Sequence, residues 1–116
     1  MTRKELDMKT ISAIELKNRL SDDGTLVLDV LPPDHFASEH IPGAKNVPLS
    51  LESFIGSVEV VASDKEQPII VYCANADCDL SPKAVQQLER AGFKNVADFE
   101  GGIEAWKEAG FKLARD

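Results

Sequence analysis

Short apolar segments that alternate with helical patterns constrain the fold of this chain more than any other feature. The clearest segments are residues 25–30, in which Asp29 is the last residue but one, and residues 67–72, which are followed directly by Cys73. Ser12 to Glu15 has the form of a capping box, which typically opens a helix. Strands separated by helices predict an α/β fold with a mostly parallel central sheet flanked by helices on both faces.

Weaker local signals complete this outline. Asp34 is a candidate cap for one or two helical turns up to His40, and Ser81 is predicted to cap a helix that Pro82 opens and Gly92 ends. The remaining segments divide into a turn at 22–24, short strands at 46–48 and 95–99, a helix at 51–61 and a last helix from 101 to 110. The sites of parallel sheets lie beyond the carboxyl ends of their strands, which is where this outline places Cys73.

Length and charge exclude several classes of function. The 116 residues suffice for one domain, and the net charge of −7 argues against nucleic acid or an anionic membrane as a partner. No segment is long and apolar enough to span a bilayer, and residues 1–10 lack the apolar core of a signal peptide. We therefore expect a cytoplasmic protein whose cysteines stay reduced.

The segment that follows residues 67–72 has the features of an anion cradle. A strand delivers the Cys73 thiol to the sheet edge, and a short loop then leads into the next helix. Backbone N–H groups of a curled loop and of a helix N-terminus stabilise a thiolate, so we expect a lowered pKa for Cys73. The alternative is that Cys73 is a small buried apolar residue without a chemical role.

Three blocks of the sequence resemble the rhodanese-like domain, the domain of a family of sulfurtransferases. The first contains Leu28-Asp29-Val30, Phe36 and the run from Glu39 to Ala44; the second contains Ile70 to Cys73 with Ser81, Ala84, Leu88, Gly92 and Phe93; the third contains Asn95-Val96, Gly101-Gly102, Trp106 and Gly110. Their order and spacing cover residues 10 to 113, so the resemblance implies a single rhodanese-like domain over 10–116, with residues 1–9 as an N-terminal extension.

The resemblance also implies a chemistry and a set of site residues. In this family, the loop cysteine accepts sulfane sulfur from a donor, holds it as a persulfide and passes it to a thiol or another nucleophile. Cys73 would be the catalytic nucleophile, and the backbone of the loop would bind the substrate; the loop residues are Ala74, Asn75, Ala76, Asp77, Cys78 and Asp79. No metal or organic cofactor is required. The expected partners are a small sulfur donor and a protein persulfide or thiol acceptor.

The loop departs from the usual family pattern in its charge. It contains no lysine or arginine but carries Asp77 and Asp79, Ser81 lies two positions further from the cysteine than usual, and Leu31 replaces a common arginine. Thiosulfate is a dianion that favours a cationic pocket, so classical thiosulfate:cyanide activity is not expected. Phosphatases that share the fold need a loop arginine, which argues against that activity as well.

Cys78 provides a second candidate function. It is a candidate resolving thiol, which would attack a Cys73 persulfide and leave a disulfide within the loop. A non-catalytic binding or redox-sensing module that uses this disulfide is therefore the alternative to the sulfurtransferase. The two cysteines with His35 and His40 also supply metal-ligand types, but we expect His40 to make a structural hydrogen bond and His35 to lie on the surface.

Overall fold

A computed structural model describes residues 9–21, 24–50 and 52–115. The strands are β1 (Lys9–Thr10), β2 (Leu26–Asp29), β3 (Lys45–Asn46), β4 (Ile69–Tyr72) and β5 (Val96–Phe99). The helices are α1 (Ala13–Arg19), α2 (Pro33–Ser38), α3 (Phe54–Val61), α4 (Leu80–Arg90) and α5 (Gly102–Glu108). None of these described helices is long and apolar enough to cross a membrane.

The strands form one parallel sheet in the order β1-β5-β4-β2-β3. Every residue of β2, β4 and β5 is buried, which explains their nearly continuous apolar sequences. Asp29, Tyr72 and Phe99 are neighbours in the register, so the three central strands end at the same level. The predicted α/β fold with a parallel sheet is confirmed, and Cys73 follows directly after the central strand.

Two apolar clusters pack against opposite faces of the sheet. One face is covered by α3 and α4, whose buried residues include Phe54, Val58, Val85 and Leu88. The other face is covered by α1 and α5; its largest buried side chains include Leu16, Tyr72, Phe99 and Trp106. We call these the α3/α4 face and the α1/α5 face. Cys73 belongs to the cluster of the α3/α4 face.

The predicted capping box is present at the start of α1. Ser12 Oγ accepts a hydrogen bond from the Glu15 N–H at 3.1 Å, and the Glu15 carboxylate accepts one from the Ser12 N–H at 2.8 Å. Two other cap predictions are wrong. Asp34 lies inside α2, which begins after Pro32, and Ser81 lies in the first turn of α4, which begins after Asp79. In α4 the hydroxyl of Ser81 faces the site rather than the helix terminus.

The edge strand β1 has no clear local signal in the sequence. Lys9 and Thr10 pair with Ala97 and Asp98 of β5, so the sheet begins one residue inside the predicted extension of residues 1–9. The preceding residues, the predicted turn at Asp22 and Asp23, and the predicted helix position at Leu51 lie outside the described residues.

Candidate functional site around Cys73

The backbone after β4 is fixed by the first turn of α5. The Ile103 N–H donates to the Cys73 carbonyl at 3.1 Å, and the Glu104 N–H donates to the Ala74 carbonyl at 3.0 Å. Two N–H groups that an isolated helix start would leave unpaired are thereby satisfied by the cysteine segment. The α5 helix therefore positions Cys73 through main-chain contacts, which do not depend on side-chain identity at 103 and 104.

Gly102 makes this close approach feasible. Its φ is +61°, and a Cβ atom at this position would lie 2.3 Å from the Cys73 carbonyl oxygen. Only glycine adopts this backbone conformation without strain and leaves room for the neighbouring chain. The Gly101-Gly102 pair, which the sequence marks as a helix start, thus has a direct role in building the site.

The Cys73 sulfur is enclosed by the loop and by the start of α4. It lies 3.5 Å from Ser81 Oγ and 3.7 Å from the carbonyl oxygen of Cys78, to which the S–H group donates. The side chain is 1% exposed. Inside the loop, the N–H groups of Asp77 and Cys78 donate to the side chain and the carbonyl of Asn75, at 2.9 and 3.1 Å.

The expected lowering of the Cys73 pKa is wrong. Burial raises the pKa of this thiol to about 11, and the neighbouring Cys78 side chain raises it further, whereas the hydroxyl and the N–H of Ser81 lower it. The predicted cradle of N–H groups does not form around the sulfur. The N–H groups of Asp77 and Cys78 donate to Asn75 within the loop, and a carbonyl oxygen faces the sulfur. A carbonyl stabilises the protonated thiol and disfavours the thiolate.

The predicted loop residues surround Cys73 unequally. Ala74, Asn75 and Cys78 are half-buried, whereas Ala76, Asp77 and Asp79 are exposed. Asp79 forms an ion pair with Lys83 of α4 at 3.1 Å, on the surface. The structure therefore brings Cys78 to the sulfur and leaves the two loop carboxylates facing solvent.

The two cysteines are close but not bonded. Both are free thiols, and the Cys73 sulfur lies 3.7 Å from the carbonyl oxygen of Cys78. Cys78 is half-buried, so it is more accessible to solvent than Cys73. The role of Cys78 as a resolving thiol stays a prediction.

A depression of about 510 Å³ adjoins the loop at Ala74. Four carboxylates line it, and its one lysine, Lys107, is paired with Glu39 at 2.8 Å; the lining carboxylates are Asp34, Glu39, Glu104 and Glu108. His35 also lines it and is exposed, as predicted. The surroundings of the loop are therefore predominantly acidic.

His40 makes the structural contacts expected of it. Its Nδ1 lies 2.7 Å from the Phe36 carbonyl oxygen, and its ring stacks on that of Phe36 at 3.8 Å between centroids. Among the described residues, no three or more histidine, cysteine or acidic side chains gather where they could hold a metal ion.

Two buried polar side chains near the sulfur were not predicted as site residues from the sequence. Ser81 and Asp98 are each 1% exposed. Burial raises the pKa of Asp98, the nearby Ser81 hydroxyl lowers it, and Glu100 raises it. The available signal was the alternation of β5, which puts a carboxylate on the same sheet face as Cys73.

The sheet, its short βα connections and a cysteine just beyond the central strand define an α/β protein with a cysteine-centred site. The chain belongs to the rhodanese-like domain family, whose sequence profile matches residues 12–109. It is 30% identical to the crystal structure of the Alr3790 protein from Anabaena sp., with a TM-score of 0.80 and coverage of 90% of this chain and 91% of that one.

Two curated relatives of this chain are a longer protein and a sulfurtransferase of similar length. The protein slr1261 of Synechocystis sp. is 32% identical over 91% of this chain, which spans only 56% of that protein. The thiosulfate sulfurtransferase GlpE of Coxiella burnetii is 31% identical over 85% of this chain and 87% of its own length. The family thus includes sulfurtransferases of the same size as this chain.

Proposed function

We propose that this protein is a sulfurtransferase that carries sulfane sulfur as a persulfide on Cys73. The observation that carries the proposal is the Cys73 thiol at the carboxyl end of the central strand, in contact with the hydroxyl of Ser81 at 3.5 Å. The relative named thiosulfate sulfurtransferase, which matches over most of its length, supports the same assignment. Such a carrier suits the reducing cytoplasm, and both cysteines are free.

The proposed reaction has two exchange steps. The Cys73 thiol loses its proton, and the thiolate attacks the outer sulfur of a donor persulfide R–S–SH, whose S–S bond breaks as R–S⁻ leaves with the electron pair and is protonated. An acceptor thiolate then attacks the outer sulfur of the Cys73 persulfide and regenerates the Cys73 thiol. Each step exchanges one S–S bond for another, so no external oxidant or reductant is consumed.

The charge around the loop favours some donors over others. Asp77 and Asp79 are exposed on the loop, and the adjoining depression is lined by four carboxylates with one paired lysine. A dianion such as thiosulfate would approach against this charge, whereas a neutral or protein-borne persulfide would not. Because Cys73 is 1% exposed, donor access requires a shift of the 74–79 loop.

Intact-protein mass spectrometry tests the proposal. Reduced protein is exposed separately to polysulfide and to thiosulfate, beside Cys73→Ser and Cys78→Ser. We expect a gain of one sulfur in the wild type and in Cys78→Ser, and no such gain in Cys73→Ser. A gain that persists in Cys73→Ser, or no gain with either donor, would reject Cys73 as the carrier.

The redox module is retained as a second candidate because Cys78 lies next to the Cys73 thiol, with its carbonyl oxygen 3.7 Å from the sulfur. Peroxide would oxidise the two thiols to a disulfide and be reduced to water. A ready loss of two hydrogens on treatment with dilute peroxide, in a protein that loads no sulfur, would favour this candidate over the sulfurtransferase.

A further inference from the structure

The loop over Cys73 is anchored to neighbouring helices at both ends. At one end, the first turn of α5 donates to the carbonyls of Cys73 and Ala74. At the other end, the Asp79 carbonyl accepts from the Lys83 N–H of α4 at 3.3 Å. The residues between these anchors form a turn over 75–78, which we call the 75–78 turn. Any movement that uncovers the sulfur while the helices stay in place is therefore a movement of this turn.

Asn75 holds the 75–78 turn together. Its side-chain oxygen accepts from the Asp77 N–H at 2.9 Å, and its carbonyl accepts from the Cys78 N–H at 3.1 Å. Asparagine commonly fixes a turn in this way, by accepting from the backbone two residues further on. Among the described residues, the turn hydrogen-bonds only to itself and to the Cys73 sulfur, so the Asn75 side chain is one of its principal contacts.

The two polar partners of the sulfur belong to different parts of the structure. The Cys78 carbonyl, at 3.7 Å, is part of the turn, whereas the Ser81 hydroxyl, at 3.5 Å, is part of α4. A carbonyl accepts from a thiol and disfavours a thiolate, whereas a hydroxyl can donate to a thiolate or to a persulfide anion. Displacement of the turn would remove the acceptor, leave the donor, and admit reagents to the 1% exposed Cys73.

We propose that Asn75 is a positioning residue that holds the 75–78 turn closed over Cys73, and that opening of this turn exposes the sulfur and leaves Ser81 as its hydrogen-bond donor. In the closed turn the sulfur is shielded and protonated, and in the open turn it is accessible and nucleophilic. For sulfur transfer, which rests on the proposed function, Asn75 thus sets the fraction of time in which Cys73 can meet a donor or an acceptor.

The test measures the rate of Cys73 alkylation by iodoacetamide at pH 7.5, in a Cys78→Ser background, by intact mass. Serine keeps the main-chain carbonyl of position 78 and leaves Cys73 as the one thiol of the sequence. The thiolate displaces iodide and forms a thioether without any sulfur donor, so failure of this inference is distinct from failure of the proposed function. We expect Asn75→Ala to raise the rate about fivefold, which corresponds to the loss of one ordinary hydrogen bond.

Asn75→Asp is the conservative variant that separates the turn contact from other roles of the side chain. It keeps an oxygen that can accept from the Asp77 N–H, and it removes the amide NH₂ group. We expect a rate at or below that of the parent, because the turn stays closed and the added negative charge disfavours a thiolate. A rate as high as that of Asn75→Ala would overturn the proposal, as would an unchanged rate in Asn75→Ala.

Ala76→Pro tests the opposite direction and does not depend on the folding of Asn75→Ala. Ala76 is exposed, and its N–H makes no hydrogen bond among the described residues. An asparagine followed by proline favours a turn, and proline restricts the open conformations. We expect alkylation about threefold slower than in the parent. A faster rate in a folded Ala76→Pro variant would contradict a closed turn as the cause of the slow reaction.

Asp64→Ala is the matched control for loss of a side-chain contact within a turn. Asp64 Oδ1 accepts from the Glu66 N–H at 2.9 Å, which is the same contact two residues along the chain, but it precedes β4 and Cys73 follows that strand. We expect the parent rate, with the folding of all variants verified by circular dichroism. The same increase as in Asn75→Ala would assign the effect to general loosening and overturn a role specific to the 75–78 turn.

Discussion

The two faces of the sheet each bury an aspartate, and the two carboxylates have different surroundings. On the α1/α5 face, Asp29 accepts a hydrogen bond from the Leu31 N–H at 2.9 Å, and the Tyr72 hydroxyl accepts one from the Ile41 N–H at 3.0 Å. On the α3/α4 face, Asp98 has Ser81 as a neighbour, and the Ser81 hydroxyl lies 3.5 Å from the Cys73 sulfur.

The surroundings of the two aspartates indicate a structural role for Asp29 and a position next to the cysteine site for Asp98. Asp29 ties the end of β2 to the following turn through its hydrogen bond with the Leu31 N–H. Each aspartate leaves one buried oxygen atom without a hydrogen-bond partner, Oδ2 in Asp29 and Oδ1 in Asp98. A buried polar group that is only partly satisfied costs stability, and such groups concentrate where a site requires them.

The largest expected effect comes from Gly102, where the α1/α5 face contacts the Cys73 backbone. In Gly102→Ala, the new Cβ would meet the Cys73 carbonyl and the residue would keep a positive φ. We expect a loss of about 3 kcal/mol in the free energy of unfolding, measured by urea denaturation, together with loss of sulfur loading.

Gly110→Ala is the control for this substitution. Gly110 also has a positive φ, of +85°, but a Cβ there would meet no atom within 4 Å. We expect a cost of about 1 kcal/mol from backbone strain alone and normal sulfur loading. Equal losses in the two variants would show that the contact with Cys73 is unimportant.

The two aspartates should differ in stability when each is replaced by asparagine. At pH 7 we expect Asp29→Asn to lose about 1–2 kcal/mol, because an amide replaces a carboxylate that accepts the Leu31 N–H. Asp98→Asn should lose less or gain stability, because it removes a buried charge that pairs with no main-chain N–H of the described residues. Urea denaturation of both variants measures the contrast, and the reverse order would contradict the roles assigned to the two faces.

The same pair predicts a pH dependence. Burial raises the pKa of both carboxyls above the ordinary value of 3.8, so the folded state binds their protons more tightly than the unfolded state does. Their contribution to stability is fully present below pH 3.8 and is lost as the pH rises through the folded-state pKa values. Each asparagine variant should therefore lose less free energy of unfolding than the wild type as the pH rises from 3.8 through these pKa values. If both variants show the same pH dependence of stability as the wild type, the raised pKa values are contradicted.

The smallest expected effect concerns the cap of α1, which covers the α1/α5 face. Ser12→Ala removes the hydroxyl that accepts from the Glu15 N–H and should cost about 1 kcal/mol in the free energy of unfolding. The rate of Cys73 alkylation should stay unchanged. A surface control is Ser38→Ala, whose hydroxyl is exposed in α2, with an expected change below about 0.5 kcal/mol.

Signals that are local in sequence predicted most of the fold. The central strands follow from apolar segments that are buried on both faces, and the capping box at Ser12 and Glu15 is satisfied within four residues. The edge strand β1 could not be predicted in this way, because only its pairing with β5 defines it. The position of Cys73 at the end of β4 follows from strand order alone.

The chemistry of the site depended on orientations that a sequence does not specify. The pKa of Cys73 is raised first by burial and then by the Cys78 side chain, and loop composition determines neither how deeply the sulfur is buried nor which loop groups face it. Ser81 has the residue type and position of a helix cap, but α4 begins before it. The Ser81 hydroxyl contacts the Cys73 sulfur instead. Asp98 is brought to Ser81 by the packing of α4 on β5, across 17 positions in the sequence.

The most direct test of Cys73 as a sulfur carrier is transfer in a single turnover. Protein loaded with isotopically labelled polysulfide sulfur is freed of donor and mixed with a small thiol, and both products are followed by mass spectrometry. The account predicts that the protein loses one labelled sulfur while one labelled acceptor persulfide appears for each Cys73. A label that stays on the protein, or an acceptor that gains label equally with Cys73→Ser, would contradict it.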